Sequence, residues 1–360
     1  ATSKGVQAIG GAKQITMLRL KIHHTGSYPF HWSSSNLDTR NATPYTVPMW
    51  DQIAIVDSAG TDVIGSGGYG VFLSATRFAF LGNKIDTTPT GGGHGMRTPF
   101  LAKAAISNST WNNIAEGAAL TIRAAEWGPG TATIRPHTYT ERIVVSDNKF
   151  GPTSADTLLS FRPTSGAVDE RVRNAIAERN WFLAAPVDRA VLDIAGSIIT
   201  ARNNITDGTG CTNCSINISV GSGAQATPVP NLGWAYNNTI YASDTNANTI
   251  LGVDVGVQGQ TSAVNITAKN NLMYTPNRSG TATTVRDSNS TTGFVSSNNS
   301  ATPKTSDPLF TTTPPVVIGD YKPTCTGATY PCQQGAAVPV WSDFFLVTQP
   351  ATRTMGAVNP

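Results

Sequence analysis

Three arginines close short apolar runs, in the phrases GMR (Arg97), TIR (Arg123) and SFR (Arg162). If these runs are successive strands of one stack, their guanidiniums form a row with about 4.8 Å between neighbours. Like charges that close repel unless a carboxylate intervenes or an anion binds. Guanidinium pairs bidentately with carboxylate or sulfate, so a polyanionic sugar would fit such a row. Glu126, three residues after Arg123, is a candidate neutraliser. Trp127 beside it offers a ring on which a sugar could stack, and His137 sits in the insertion RPHTYTER. His94 opens the segment that carries Arg97. Lys103 precedes AAISN much as Arg142 precedes IVVSDN, so those two cations are also expected to stack. Cleaving a uronate chain by elimination needs a neutraliser for the carboxylate, a base for the C5 proton and a donor to the leaving oxygen. Basic side chains of these kinds could supply all three.

Other chemistries find weaker support. Hydrolysis needs two carboxylates at a set separation. Glu126, Glu141, Asp169 and Asp193 are the pool, and nothing in their spacing pairs them. Calcium needs clustered acids. Asp169-Glu170 and Asp188 with Asp193 form no loop motif, so no cofactor is expected, though calcium would be compatible. His23, His24 and His31 could hold a metal, but neighbours on a strand point to opposite faces, and no metal site is expected. The four cysteines fall as Cys211-x2-Cys214 and Cys325-x6-Cys332. Two local disulfides in an exported chain are favoured over a four-Cys zinc site, because only one pair has ligand spacing and no histidine is near. Four cysteines allow three pairings, and spacing does not choose among them.

Composition narrows the partners. Of 360 residues only 13% are charged, with 25 Lys+Arg against 22 Asp+Glu and a net charge of +3. No dense basic run points to nucleic acid. No run of apolar residues is long enough to span a bilayer as a helix. The opening ATSKGVQAIGG is not a signal peptide; a secreted or cell-surface chain whose leader has been removed would begin like this. Thr, Ser, Asn, Gly and Ala dominate, which disfavours long helices and favours short strands and turns. Asn-x-Ser/Thr triplets are frequent, as expected of such a composition.

The elements that must position the cations repeat. Asn83, Asn108, Asn148, Asn180, Asn203, Asn237 and Asn270 each follow a short apolar strand, at unequal intervals. A solenoid with insertions of variable length behaves so, since every coil must return to the same stack. An inward Asn at each turn would form an amide ladder that satisfies polar groups otherwise costly to bury. A second strand series precedes the first: HGMRT, ALTIRA, LLSFRP, AVLDIAG, SINISVG and ILGVDVGV. The stretch 169–181 has some helical character, but its place in the series favours a strand after a loop. The expected fold is all-β, a right-handed parallel β-helix over residues 1–310 with inserted loops. An irregular tail, 311–360, is expected to lie along the final coils and cover an otherwise unpaired edge.

The ending SDPLF, GDYKP, QGAAVPVWSDFF and MGAVNP, with the recurring Asn-Asn phrases, resembles bacterial right-handed parallel β-helix proteins of the pectate-lyase-like superfamily. Gln334-Gly335-Ala336 departs from the Ser-Pro-Ala and Asp-Ala-Gly turn of that ending. The resemblance implies the fold over most of the chain. It implies function only broadly, since the superfamily holds lyases, hydrolases, epimerases, phage depolymerases and non-catalytic surface proteins. By resemblance to β-helix lyases, Lys103 or His94 would be the base. Arg97 is grouped with them in the catalytic set and would hold the carboxylate together with Arg123 and Arg162. Glu126, Trp127, His137 and Arg142 would complete the substrate site. The expected activity is that of an exported polysaccharide lyase on a uronate-containing polymer. The alternatives are a non-catalytic carbohydrate-binding or adhesive surface protein, and a structural subunit that assembles through its coil ends.

Overall fold

The computed structural model describes residues 4–8, 13–32, 51–91, 93–123, 142–162, 172, 174–183, 190–196, 198–211, 216–221, 232–255, 265–288, 291–326, 330–332, 334–339, 342–347 and 354–358. Their strands form two sheets, of 18 and 9 strands, and every strand pairing is parallel. The larger sheet is two columns of strands, joined because Val71–Leu81 and Met96–Ser107 pass from one column to the other without a break. Each full coil therefore holds three strands, and the fold is a parallel β-helix. In one coil the first column supplies Ala190–Ala195, the second Ile198–Arg202 and the third Ile205–Asp207. The third column was not anticipated. Its strands run to as few as two residues, as in Lys149–Phe150, and follow the ladder residue directly, so they read as the tail of the preceding strand. Ala175–Glu178 is a strand, as the repeat requires.

Side chains alternate in and out, and parallel register stacks like on like. In the second column Ile55, Phe80, Ile106 and Val145 follow one another inward, all buried. In the third, Trp111, Phe150 and Phe182 are register partners, with ring centroids 4.6 and 5.0 Å apart. Such stacks bury aromatic area in a favoured offset geometry.

The turn between the second and third columns splits its work between adjacent residues. One residue of each turn takes the left-handed conformation, as in Asn108 (φ 51°), Asp147 (φ 58°), Asn203 (φ 53°), Asn237 (φ 51°) and Asn270 (φ 57°). Asn and Asp tolerate that region better than most residues. The next residue is the rung. Asn148 donates to Asn180 at 2.9 Å, Asn180 to Asn204 at 3.1 Å, Asn204 to Asn238 at 3.0 Å and Asn238 to Asn271 at 2.9 Å. Each rung amide also donates to a main-chain carbonyl of the preceding coil, such as Asn204 to Ala177 O at 2.9 Å. Asn83, Asn148 and Asn180 are rungs, as expected. At Asn108, Asn203, Asn237 and Asn270 the expectation is corrected by one residue: these turn the chain, and Ser109, Asn204, Asn238 and Asn271 are the rungs.

The end of the chain lies on the last coils. Along the turn column, Asn298 donates to Gln334 O at 2.9 Å, Asn270 to Ala336 O at 2.8 Å and Asn203 to Ser342 O at 2.7 Å. On the outer face of the third column, Phe310, Tyr321, Met355 and Val358 bury against Ile205, Tyr241, Leu272 and Tyr274. Cys325 and Cys332 are joined by a disulfide within this tail.

Candidate functional site

The outward face of the second column carries three exposed cationic positions. Arg77, Lys103 and Arg142 are register partners on three successive strands, so their side chains leave the sheet about 4.8 Å apart. All three are exposed. The core positions Leu101, Ala104 and Ile106 show why Lys103 points outward. Buried residues three apart leave two successive residues, Ala102 and Lys103, on the outside where the strand bends. Beyond the cations the face is floored by Ala79, Ala105 and Val144, also in register. Among the described residues of this strip, the largest side chain is that of Val144.

Arg77 is paired with an acid. Its Nε donates to Asp51 Oδ1 at 2.7 Å, and its Nη2 to Asp51 Oδ2. The guanidinium is the main reason that the Asp51 carboxyl is held below the usual carboxylate range. Farther along the stack the same face carries an ion network. Arg179 bonds Asp147 at 2.7 Å and Glu178 at 2.9 Å, and Arg202 bonds Glu178 at 2.6 Å. Arg202 Nη1 also donates to Pro339 O of the tail at 3.2 Å, which ties this network to the docked chain end.

The first column is arranged otherwise. Arg123 is the register partner of Arg162, as expected. Arg97 is not in their row: it pairs with Thr121, two residues earlier along the strand. The guanidinium row is thus a pair, and the side chain of Arg162 lies outside the described residues. Arg97 belongs instead to an outward column that runs His31, Phe72, Arg97, Thr121, Ser160, Asp193. Thr121, Ser160 and Asp193 are buried although they point outward, so this face is closed where the second column is open.

Sequence reading missed an aromatic stack here. Tyr28, Tyr69 and His94 lie ring over ring, with centroids 5.5 and 5.3 Å apart and planes within 8°. Recurrence of an aromatic or His shortly before a strand start was the available signal. Arg97 packs over the Tyr69 ring at 5.9 Å. The Ala118 N–H donates to His94 Nδ1 at 2.8 Å. That bond assigns the neutral ring's proton to Nε2, which faces Arg97 Nη1 at 3.5 Å. His94 therefore has its acceptor nitrogen engaged, a poor arrangement for a base. Lys103 lies six residues beyond Arg97 on the same long strand, about 20 Å along an extended backbone. The structure thus groups Lys103 with Arg142, and His94 with Arg97, on different columns.

His23 and His24 also depart from expectation. Strand Lys21–His23 ends between them, and His24 takes φ 55°. The break in alternation brings their Nδ1 atoms to 2.7 Å, with His24 Nδ1 4.0 Å from Asp62. His31 stands on another column, buried. Among the described residues no group of three metal-ligating side chains is placed to hold an ion, and no helix is long and apolar enough to cross a membrane. Cys211 is disulfide-bonded. Glu126, Trp127, His137, Glu141, Asp169 and Cys214 lie outside the described residues. No family model matches the chain, and no curated protein matches its sequence.

Proposed function

We propose that this chain is an extracellular, pectate-lyase-like carbohydrate-active protein that engages a uronate-containing polysaccharide on the open face of the second column. The observation that carries this reading is the exposed register pair Lys103–Arg142 beside the small-residue strip Ala79, Ala105 and Val144. Repeating cations one coil apart suit a polymer with repeating carboxylates, and a floor without bulky side chains lets a chain of sugars lie close.

Elimination is the reaction that these two side chains suit best. Arg142 would hold the uronate carboxylate, which acidifies the C5 proton. The Lys103 amine nitrogen would take that proton. The C5 electrons then form the C4–C5 double bond as the C4–O bond breaks, and the leaving oxygen takes up a proton from solvent water. Lys103 is preferred to His94 because the His94 acceptor nitrogen is already bonded to Ala118.

The test is incubation with polygalacturonate, alginate and an uncharged dextran, following both ultraviolet absorbance of unsaturated products and new reducing ends. Absorbance with the polyuronates alone is expected. Reducing ends without absorbance would indicate hydrolysis. Salt-sensitive retention without turnover would indicate a binding or adhesive protein. Neither retention nor turnover would overturn the reading and favour a structural subunit.

A further inference from the structure

The turn that follows the third column holds a different chemistry from the cationic faces. Strand Lys21–His23 runs in register with Ala59–Thr61, and that strand with Lys84–Thr88, so His23, Thr61 and Asp86 are partners. The next residue of each coil takes the left-handed conformation: His24 (φ 55°), Asp62 (φ 54°) and Thr87 (φ 63°). A residue in that conformation does not continue the alternation of the strand before it. His23 and His24 therefore meet, with ring centroids 5.0 Å apart, planes at 82° and Nδ1 facing Nδ1 at 2.7 Å. Asp62 occupies the turn position of His24 one coil on, which brings its Oδ2 to 4.0 Å from His24 Nδ1. His23 is exposed, and the side chains of His24 and Asp62 keep 69% and 46% of their surface in solvent.

Two ring nitrogens this close cannot both carry protons aimed at each other. In the neutral pair one Nδ1 donates and the other accepts. When the donating ring holds its proton on Nε2 instead, two lone pairs face one gap, and a cation suits it. With metal–nitrogen bonds of about 2.0 Å, ligands at a right angle stand about 2.8 Å apart and tetrahedral ones about 3.3 Å. The observed 2.7 Å fits the right angle, the geometry of tetragonal copper(II) or nickel(II). Copper(II) binds nitrogen sites most tightly of the first-row divalent ions. We propose that His23 and His24 form a two-nitrogen surface site for a divalent transition-metal ion, copper(II) by preference. Water fills the remaining positions, and Asp62 supplies negative charge beside the ion and an acceptor for one of those waters. On a regular strand adjacent histidines could not do this; the left-handed turn at His24 makes them a chelate. The site is independent of the polysaccharide reading.

The experiment is titration of the whole chain with copper(II) chloride alone, followed by calorimetry and by electron paramagnetic resonance. A bound ion whose signal is split by two imidazole nitrogens is expected. His23→Gln should reduce the splitting to one nitrogen. His24→Asn, which tolerates the left-handed turn, should do the same, and the two together should remove this ion's signal. Asp62→Asn should weaken binding about tenfold and leave the splitting unchanged. Thermal melting without copper checks that each variant folds, and His24→Gly replaces His24→Asn if that one does not. If the wild-type chain takes up no copper, or a folded variant lacking either ring keeps the two-nitrogen signal, the site is overturned. If Asp62→Asn leaves the affinity unchanged, the role of Asp62 falls and the histidine pair stands.

Discussion

Asn203 and Asn204 are neighbours that do opposite work. Asn204 is a fully buried rung whose Nδ2 donates to Asn238 Oδ1 at 3.0 Å and to Ala177 O at 2.9 Å. Asn203 turns the chain at φ 53° and reaches outward to Ser342 O at 2.7 Å. One residue knits the coils together, and the other fastens the tail to them.

That division predicts unequal mutants. Asn204→Ala strips the Asn180 amide of its acceptor and leaves Ala177 O and Asn238 Oδ1 each short of a donor. With unsatisfied buried groups costing about 1–3 kcal/mol each, a loss of about 3 kcal/mol or more is expected in denaturant unfolding. Asn203→Gly keeps the left-handed turn and forfeits mainly the tail bond, so about 1 kcal/mol is expected. Equal losses would contradict the assignment of rung and turn.

Tyr321 predicts how the tail is held. Its hydroxyl donates to Asp207 Oδ2 at 2.6 Å from a site that is 1% exposed. Burial and the nearby Asp207 carboxylate push the phenol well above its usual range. Tyr321→Phe leaves the ring in place and removes a bond to a charged group, for an expected loss of about 2 kcal/mol. Hydrogen exchange should rise across residues 306–326 and 354–358 while the coil strands stay protected. A uniform rise would show that the tail and coils open together.

These residues also show what was legible beforehand. Strand-then-Asn betrayed the coil because a buried amide ladder demands one residue type at one place. Its phase slipped at Asn108-Ser109 and at the Asn-Asn pairs, where the left-handed turn favours Asn as much as a rung does and side-chain type cannot separate the two. Lys103 and Arg142 aligned because identical spacing separates each from its turn. Arg97 did not align with Arg123, since Met96–Ser107 bends through a corner and local similarity carries no record of where a strand bends. The third column stayed hidden because strands as short as Lys149–Phe150 show no period.

His31 predicts an acid-sensitive stability. Burial first, and the Lys4 charge second, lower its pKa from 6.5 to about 4. The folded state therefore disfavours the imidazolium, and the unfolded chain takes up a proton first as pH falls. The stabilising contribution is fully present above about pH 6.5 and is lost as pH falls toward 4. With its partial screening counted, about 2 kcal/mol should disappear over that window. His31→Gln should flatten the unfolding free energy there.

The pair Lys103 and Arg142 separates catalysis from binding. If Lys103 takes the C5 proton, Lys103→Met should abolish turnover of polygalacturonate, by a factor of about 10² or more. Loss of one exposed cation should weaken polymer affinity only severalfold. On the same premise, Arg142→Ala would remove the group that holds the carboxylate in ground and transition states, so it should raise KM and also lower kcat. Arg142→Lys should recover affinity better than turnover, because an ammonium keeps the charge but not the two-pronged geometry. In a purely binding protein the two positions are equivalent cations one coil apart. Lys103→Met and Arg142→Ala would then weaken retention to similar degrees, with the same change in salt dependence and no product at any length of incubation. The asymmetry between register partners is therefore the measurement that distinguishes an enzyme from an adhesin.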